Sequence, residues 1–359
     1  MSHGVFKGIM SCLFFIAAAL CFSSCRTSKI LEAEVNAVAE TTPVKGGADG
    51  VAVWVNKTVP AESTIIGARP PKGLVVFSLD GKVLQIINFP KGGAGEVDVR
   101  YNFPLKSGSS TDIAAGGVKY GKSLYIYRIK PGDGHLENIL AEKVHTKINP
   151  YGSCLYHSRK TGKFYLFITS KSGRISQYEL IPVNGDKIKA EFIRIIPFTL
   201  KGNPVIEACV CDDEQGYLYF SQENECKIWR CRAEPDSSPE LILVDNAQIA
   251  PGDNVEGLAL YKTGTQSGFL VASIQGSWKY KIYELSASYP LIAVFDIETA
   301  GGKGLVQSHD CIEVTSKSLG PKYKRGLMVT QNANHKGGHQ FQIVPWEEIA
   351  EKLRLSAWW

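Results

Sequence analysis

The chain has 359 residues, of which 44% are hydrophobic and 21% charged, with 35 Gly against 17 Pro. That balance excludes a collagen-like repeat, which needs Gly at every third position, and a disordered chain, which has too little apolar surface to bury. The formal net charge of +5 is too small to mark a nucleic-acid-binding protein, and no nucleic-acid partner is expected.

Residues 1–25 open with a short segment carrying Lys7, continue as an apolar run from Ile9 to Phe22, and end in Ser23, Ser24 and Cys25. The run is too short to span a bilayer comfortably as a helix and suits a signal peptide. Phe22-Ser23-Ser24-Cys25 resembles a bacterial lipobox, in which Cys25 is lipidated and becomes the mature N-terminus. An ordinary signal peptide cut near the same place is the alternative. The expectation is an exported bacterial lipoprotein, in the periplasm or at the outer membrane or cell surface, touching the membrane only through its anchor. Residues 26–45 read as a tether with room for one helical turn, and residues 46–359 as the folded domain.

Export agrees with the cysteines. Beyond the signal and Cys25 they are Cys154, Cys209, Cys211, Cys226, Cys231 and Cys311, an even number. Disulfides or free core thiols fit better than a zinc site, because no ordered His partners lie near the crowded 209–231 segment.

From about residue 46 onward, helical periodicity is scarce. Short β-rich runs recur instead: Val51–Val55, Gly73–Ser78, Val83–Asn88, Ser123–Ile129, Phe164–Ser170, Ile175–Leu180, Tyr217–Ser221, Lys227–Arg230, Gly257–Tyr261, Phe269–Ile274, Tyr280–Leu285, Leu291–Ile297, Leu327–Thr330 and Gln340–Val344. Turn signals such as Asp80-Gly81, Asn184-Gly185 and Gln215-Gly216 separate them. The roughly 315 residues after the tether supply six units of about 50, the size of a four-stranded propeller blade. The fold class is therefore all-β, a six-bladed β-propeller; a β-sandwich would leave much of the length unexplained. One amphipathic helix is expected at Pro345–Leu353, with Pro near its start and acids in the first turn.

In a propeller, strand ends on one face converge on the central channel. The acidic and amide candidates at strand ends are Asp49, Asp98, Asp112, Glu207, Asp212, Asp213, Glu214, Glu223, Asn254, Glu256, Asp310 and Glu313. Carboxylates gathered from several blades repel one another unless a cation lies between them, and an oxygen-only donor set suits Ca²⁺.

Ordered blocks then carry a resemblance over roughly residues 40–353. They include Tyr151-Gly152-Ser153-Cys154-Leu155-Tyr156-His157-Ser158, Val97-Asp98-Val99-Arg100-Tyr101-Asn102-Phe103-Pro104-Leu105, Asp112-Ile113-Ala114-Ala115, and Asp212-Asp213-Glu214-Gln215-Gly216-Tyr217-Leu218-Tyr219. Glu256-Gly257-Leu258 and Val344-Pro345-Trp346-Glu347 complete the set. In these blocks the chain resembles the calcium-dependent β-propeller phytases, which remove phosphate from myo-inositol hexakisphosphate.

The resemblance implies multi-metal phosphoester cleavage, with Ca²⁺ as cofactor and phytate or another phosphorylated small molecule as substrate. By matched position it implies Glu40, Asp49, Glu207, Glu223, Glu256 and Asp310 as metal ligands. Glu207, Glu256, Asp310 and Tyr151 are implied in the chemistry, and Lys171, Arg100, Arg69, Lys72 and His157 in contacts to substrate or the channel wall. A structural ion pair of Arg100 with Asp98 or a neighbouring acid is an equal alternative.

Departures from the pattern matter. A family DDPA block stands here as Asp49-Gly50-Val51-Ala52, Gly95-Glu96 replaces an Asn pair, and paired lysines are replaced by Arg69-Pro70-Pro71-Lys72. Lys119 is the nearest base where the family has an arginine, and Asn254-Val255-Glu256 carries one acid fewer. Fewer carboxylates should weaken Ca²⁺ binding or reduce the number of ions held. The expected function is a monomeric Ca²⁺-dependent phosphoric monoester hydrolase; the alternative is an exported propeller that binds a ligand or partner with catalysis impaired.

Overall fold

The computed structural model describes residues 1, 30–238, 240–307, 309–333 and 338–355. The signal peptide and Cys25 lie outside the described residues.

Six sheets form a six-bladed β-propeller. Each blade runs from the channel outward. The first is Val51–Trp54, Thr64–Arg69, Gly73–Ser78 and Val83–Asn88. In the second, Asp98–Pro104 and the short Gly93–Ala94 both pair with Ser110–Lys119, followed by Ser123–Ile129 and Leu136–Asn138. The third is Ser153–His157, Phe164–Thr169, Ile175–Val183 and Lys187–Ile195, and the fourth Cys209–Asp212, Tyr217–Gln222, Lys227–Arg232 and Ile242–Asn246. The fifth holds Asn254–Lys262, Gly268–Gln275, Lys279–Glu284 and Leu291–Glu298, and the sixth Ile312–Thr315, Leu327–Asn332 and Gln340–Pro345. Inner strands of successive blades touch in turn, and the sixth touches the first, so the ring closes.

Burial follows from that stacking. Second strands such as Thr64–Arg69 and Phe164–Thr169 are covered on both faces by neighbouring blades and are buried along their whole length. Their near-continuous apolar composition is what such burial requires. The outer strand Val83–Asn88 alternates exposed and half-buried positions instead.

The expected tether is largely folded. Leu31–Asn36 adds to the fifth blade as a parallel fifth strand beside Leu291–Glu298. Ala39–Glu40 completes the sixth blade as its outer strand on Gln340–Pro345. The reason is legible afterwards: Leu31, Ala33 and Val35 pack on the core while Glu32 and Glu34 face solvent, a period of two. The N-terminal segment thereby closes the ring against the last blade.

The single helix described, α1, spans Trp346–Lys352 with Pro345 as N-cap and Glu347 and Glu348 in its first turn. Trp346 is fully buried and stacks on Tyr261, with ring centroids 3.8 Å apart.

Candidate functional site

Every inner strand begins at the same end of the channel, because each second strand runs back to that end before turning outward. The residue two positions before the inner strand is Asp49 in the first blade, Glu96 in the second, Tyr151 in the third, Glu207 in the fourth and Asp310 in the sixth. In the fifth blade Glu256 takes the equivalent place at a bulge between Val255 and Gly257. Backbone bonds fix the register: the carbonyls of Gly50, Gly152, Ala208 and Cys311 accept from the N–H groups of Ala68, Thr169, Ser221 and Gln331. Six blades thus present five carboxylates and one phenol around one channel mouth.

Close approach between blades makes the ring tight. A side chain at Gly152 would collide with the carbonyl oxygen of Glu207, and one at Gly50 would collide with Glu96. Only glycine lets these neighbours touch, so Tyr151 is held against Glu207 and Asp49 against Glu96.

The turns after the second strands add a further layer. Glu223 opens the short 3-10 turn Glu223–Glu225. Carboxylate oxygens of Glu207, Glu223 and Glu256 all lie within 4.8 Å of one another. Tyr151 stands beside this trio, and the charges of Glu207, Glu223 and Glu256, after burial, raise its phenol. Above its ring sit two ammonium groups, Lys119 at 4.6 Å and Lys171 at 4.4 Å from the centroid. Lys119 also lies 2.7 Å from Asp49 Oδ2 and 3.7 Å from Glu207 Oε1. Asp310 accepts from Gln275 Nε2 at 2.5 Å and from Gln331 Nε2 at 3.1 Å.

Electrostatics reflect this crowding. Burial, with the neighbouring Glu256, pushes Glu223 up to about 7. Burial, then Asp49 and Glu256, pushes Asp310 up to about 7. Burial raises Glu207 well above the usual carboxylate range, reinforced by a hydrogen bond to Glu256. Glu96 rises likewise, from burial and from Asp49. For Asp49, burial outweighs the opposing pull of Lys119.

These residues fit a hard cation. The donor set is oxygen only, and Glu223 Oε2 is buried without a hydrogen-bond partner. Three carboxylates close together in a partly dry site cost free energy unless a cation or shared protons relieve the repulsion.

Other expected site residues fall elsewhere. Glu40 is on the outer strand of the sixth blade, where its Oε2 accepts from Gln340 and Gln342 at 2.8 and 3.1 Å; the fold does not bring it to the carboxylate trio. Arg100 is held inside the channel wall, 2.9 Å from both Asp98 and Asp213, and donates to the Leu155 carbonyl at 2.7 Å. These are the ion pairs of the structural alternative. His157 ends the strand that begins after Tyr151, so it sits at the far end of the channel wall, stacked on Phe164 with centroids 4.0 Å apart. Arg69 and Lys72 flank the first blade's turn at the correct end. Arg69 is buried and donates to Asn88 Oδ1 at 2.7 Å, while Lys72 is exposed.

Glu96 and Lys119 belong to the site, although the sequence marks them only as departures from the family pattern, Glu96 in an Asn pair's place and Lys119 as the nearest base to a missing arginine. The signal for Glu96 was its place two residues before Asp98, matching Glu207 before Cys209.

A β-propeller with an acidic channel mouth defines a class of hydrolases and binding proteins rather than one activity. Comparison with known proteins narrows it. The phytase family's sequence model matches residues 5–356. A 3-phytase of Bacillus subtilis strain 168 is 36% identical over 337 residues, covering 89% of this chain and 85% of the relative. The chain belongs to the phytase family and is a phosphatase-type hydrolase. Among solved structures, regucalcin of Agrobacterium tumefaciens strain C58, described as a calcium-binding protein, aligns with a TM-score of 0.52 at 11% identity, covering 87% of this chain and 96% of that one. An auxiliary nutrient binding protein of Bacteroides thetaiotaomicron aligns with a TM-score of 0.52 at 10% identity, covering 83% and 69%. These two show the fold alone.

Proposed function

We propose that this protein removes phosphate from phytate, or from a similarly phosphorylated small molecule, in a Ca²⁺-dependent reaction at the channel mouth. The observation that supports it most is the convergence of Glu207, Glu223 and Glu256, with oxygens within 4.8 Å of one another. Those three would hold the ion. A bound Ca²⁺ supplies neutralisation of the phosphate and a lowered pKa for the attacking water.

The chain's own residues do the rest. Lys171, over the Tyr151 ring, supplies a positive charge to a phosphate oxygen. Tyr151, with Lys119 and Lys171 over its ring, holds both ammonium groups beside the carboxylates. Asp310, pushed up to about 7, holds a proton near neutral pH and gives it to the departing alkoxide. Water oxygen bonds to phosphorus, the ester P–O bond breaks, and the alcohol leaves carrying that proton.

We further propose that Cys25 is lipidated, so that the enzyme is an exported, membrane-anchored monomer. Incorporation of labelled lipid into the wild type but not into Cys25→Ser tests the anchor. A rise in thermal midpoint with Ca²⁺, reversed by chelator, tests the ion independently of turnover. Ca²⁺ binding without phosphate release would favour the ligand-binding propeller.

A further inference from the structure

Three thiols meet where the third and fourth blades touch. Cys154 lies on the inner strand Ser153–His157, and Cys209 and Cys211 lie on the neighbouring inner strand Cys209–Asp212. Cys154 Sγ is 3.7 Å from Cys211 Sγ. Alternate residues of a strand project to the same side, so the Cys-x-Cys pair offers two sulfurs to the one opposite. All three are free thiols; Cys154 and Cys211 are buried, and Cys209 is partly exposed.

We infer that Cys154 is the hub of a thiol–disulfide exchange site, forming one inter-blade disulfide that passes between Cys209 and Cys211. The co-reactant is an external small-molecule or protein disulfide. The Cys209 thiolate attacks one of its sulfurs, giving a mixed disulfide and releasing one thiol. Cys154 attacks the Cys209 sulfur and expels the second thiol, which leaves Cys154 bonded to Cys209. Cys211 then attacks the Cys154 sulfur and expels Cys209. Each attacking thiol gives up its proton and each leaving thiolate takes one. In total two protein thiols are oxidised, and one external disulfide is reduced to two thiols.

The surroundings favour Cys154 as the nucleophile of the second step; burial and Cys154 raise the thiols of Cys209 and Cys211, and Cys209 meets the external disulfide first because it alone of the three is partly exposed. Burial works to raise the Cys154 thiol, but hydrogen bonds with Cys209 and Cys211 outweigh it and bring the thiol down to about 6. The cross-link would tie together the strands that begin just after Tyr151 and Glu207, beneath two residues of the channel mouth.

The test treats the full chain under native conditions with oxidised glutathione, traps free thiols by alkylation, and maps peptides by non-reducing mass spectrometry. The expected product links the Cys154 peptide to the peptide carrying Cys209 and Cys211. Cys211→Ser should retain a Cys154–Cys209 link, and Cys154→Ser should lose the inter-blade link while keeping a glutathione adduct on Cys209. Full alkylation of Cys154 in oxidised wild type would overturn the assignment, as would an inter-blade link that survives Cys154→Ser. The wild-type map decides without any variant having to fold.

Discussion

Lys119 Nζ lies 2.7 Å from Asp49 Oδ2, so the second blade supplies a cation to the ring residue of the first. The side chains are 13% and 6% exposed, which makes this an ion pair shielded from solvent. The same ammonium stands 3.7 Å from Glu207 and over the ring of Tyr151. One side of the carboxylate ring is therefore neutralised by the protein itself. The other side, at Glu207, Glu223 and Glu256, has no such partner for Glu223 Oε2.

Replacing Lys119 with Met should leave Asp49 buried without its counter-ion. Breaking a buried pair costs about 3–5 kcal/mol, and protonation of Asp49 offsets part of that. The metal-free variant should melt lower than wild type, and Ca²⁺ should raise its midpoint by more than it raises the wild type's. Paired thermal scans with Ca²⁺ and with chelator check this.

Glu207 links the ring to the carboxylate trio: its oxygen lies within 4.8 Å of those of Glu223 and Glu256 and 3.7 Å from Lys119. Changing a partner that merely orients a metal ligand costs about 10–100-fold in affinity or activity. Glu207→Gln removes a proposed ligand itself, so Ca²⁺ affinity should fall by at least about 100-fold. Calorimetric titration measures it. Arg100→Ala, outside the ring, should leave Ca²⁺ affinity nearly unchanged.

Arg100 instead carries stability. Its removal leaves Asp98 and Asp213 near each other without the guanidinium that pairs with both at 2.9 Å. The expected loss is about 3–5 kcal/mol in chemical unfolding, with the Michaelis constant for the phosphorylated substrate little altered. Arg100→Lys should recover only part, because an ammonium cannot bridge two carboxylates and the Leu155 carbonyl in the same plane.

The pH dependence follows from Glu223 and Asp310. Their ordinary values are 4.5 and 3.8, and both rise to about 7 in the folded protein. In that window the folded state binds more protons than the unfolded one, so the stability these groups contribute is full below about pH 4 and lost as pH rises through about 7. Ca²⁺ held by Glu207, Glu223 and Glu256 requires Glu223 ionised, so its affinity should grow over the same range. Thermal scans from pH 5 to 8 should show the Ca²⁺-induced gain increasing with pH, most steeply near about 7.

Much of this was legible in the residues, and what was missed has physical causes. Runs such as Gly73–Ser78 and Tyr280–Leu285 announced strands because they are apolar and bounded by turn residues. The inner strands Asp98–Pro104, Ser153–His157, Cys209–Asp212 and Ile312–Thr315 did not, since they line a polar channel and mix charged, hydroxyl and thiol side chains. The strand Leu31–Asn36 was hidden by the polar segments around it. Glu207, Glu256 and Asp310 were placed by matched position in the resemblance, and the fold sets all three at the channel mouth. Glu40 lies on an outer strand and His157 at the other end of the channel wall, since a motif gives a position along the chain but not which end or layer of a blade it occupies.

The central claim is that this channel mouth cleaves phosphate monoesters with Ca²⁺. Its most direct test is inorganic phosphate released from phytate by the purified protein, measured with Ca²⁺, with chelator, and in Glu207→Gln. Release that depends on Ca²⁺, stops with chelator and falls by about 100-fold or more in the variant is the predicted result. Release that is indifferent to chelator and to Glu207→Gln would contradict the account, as would no release at any Ca²⁺ concentration.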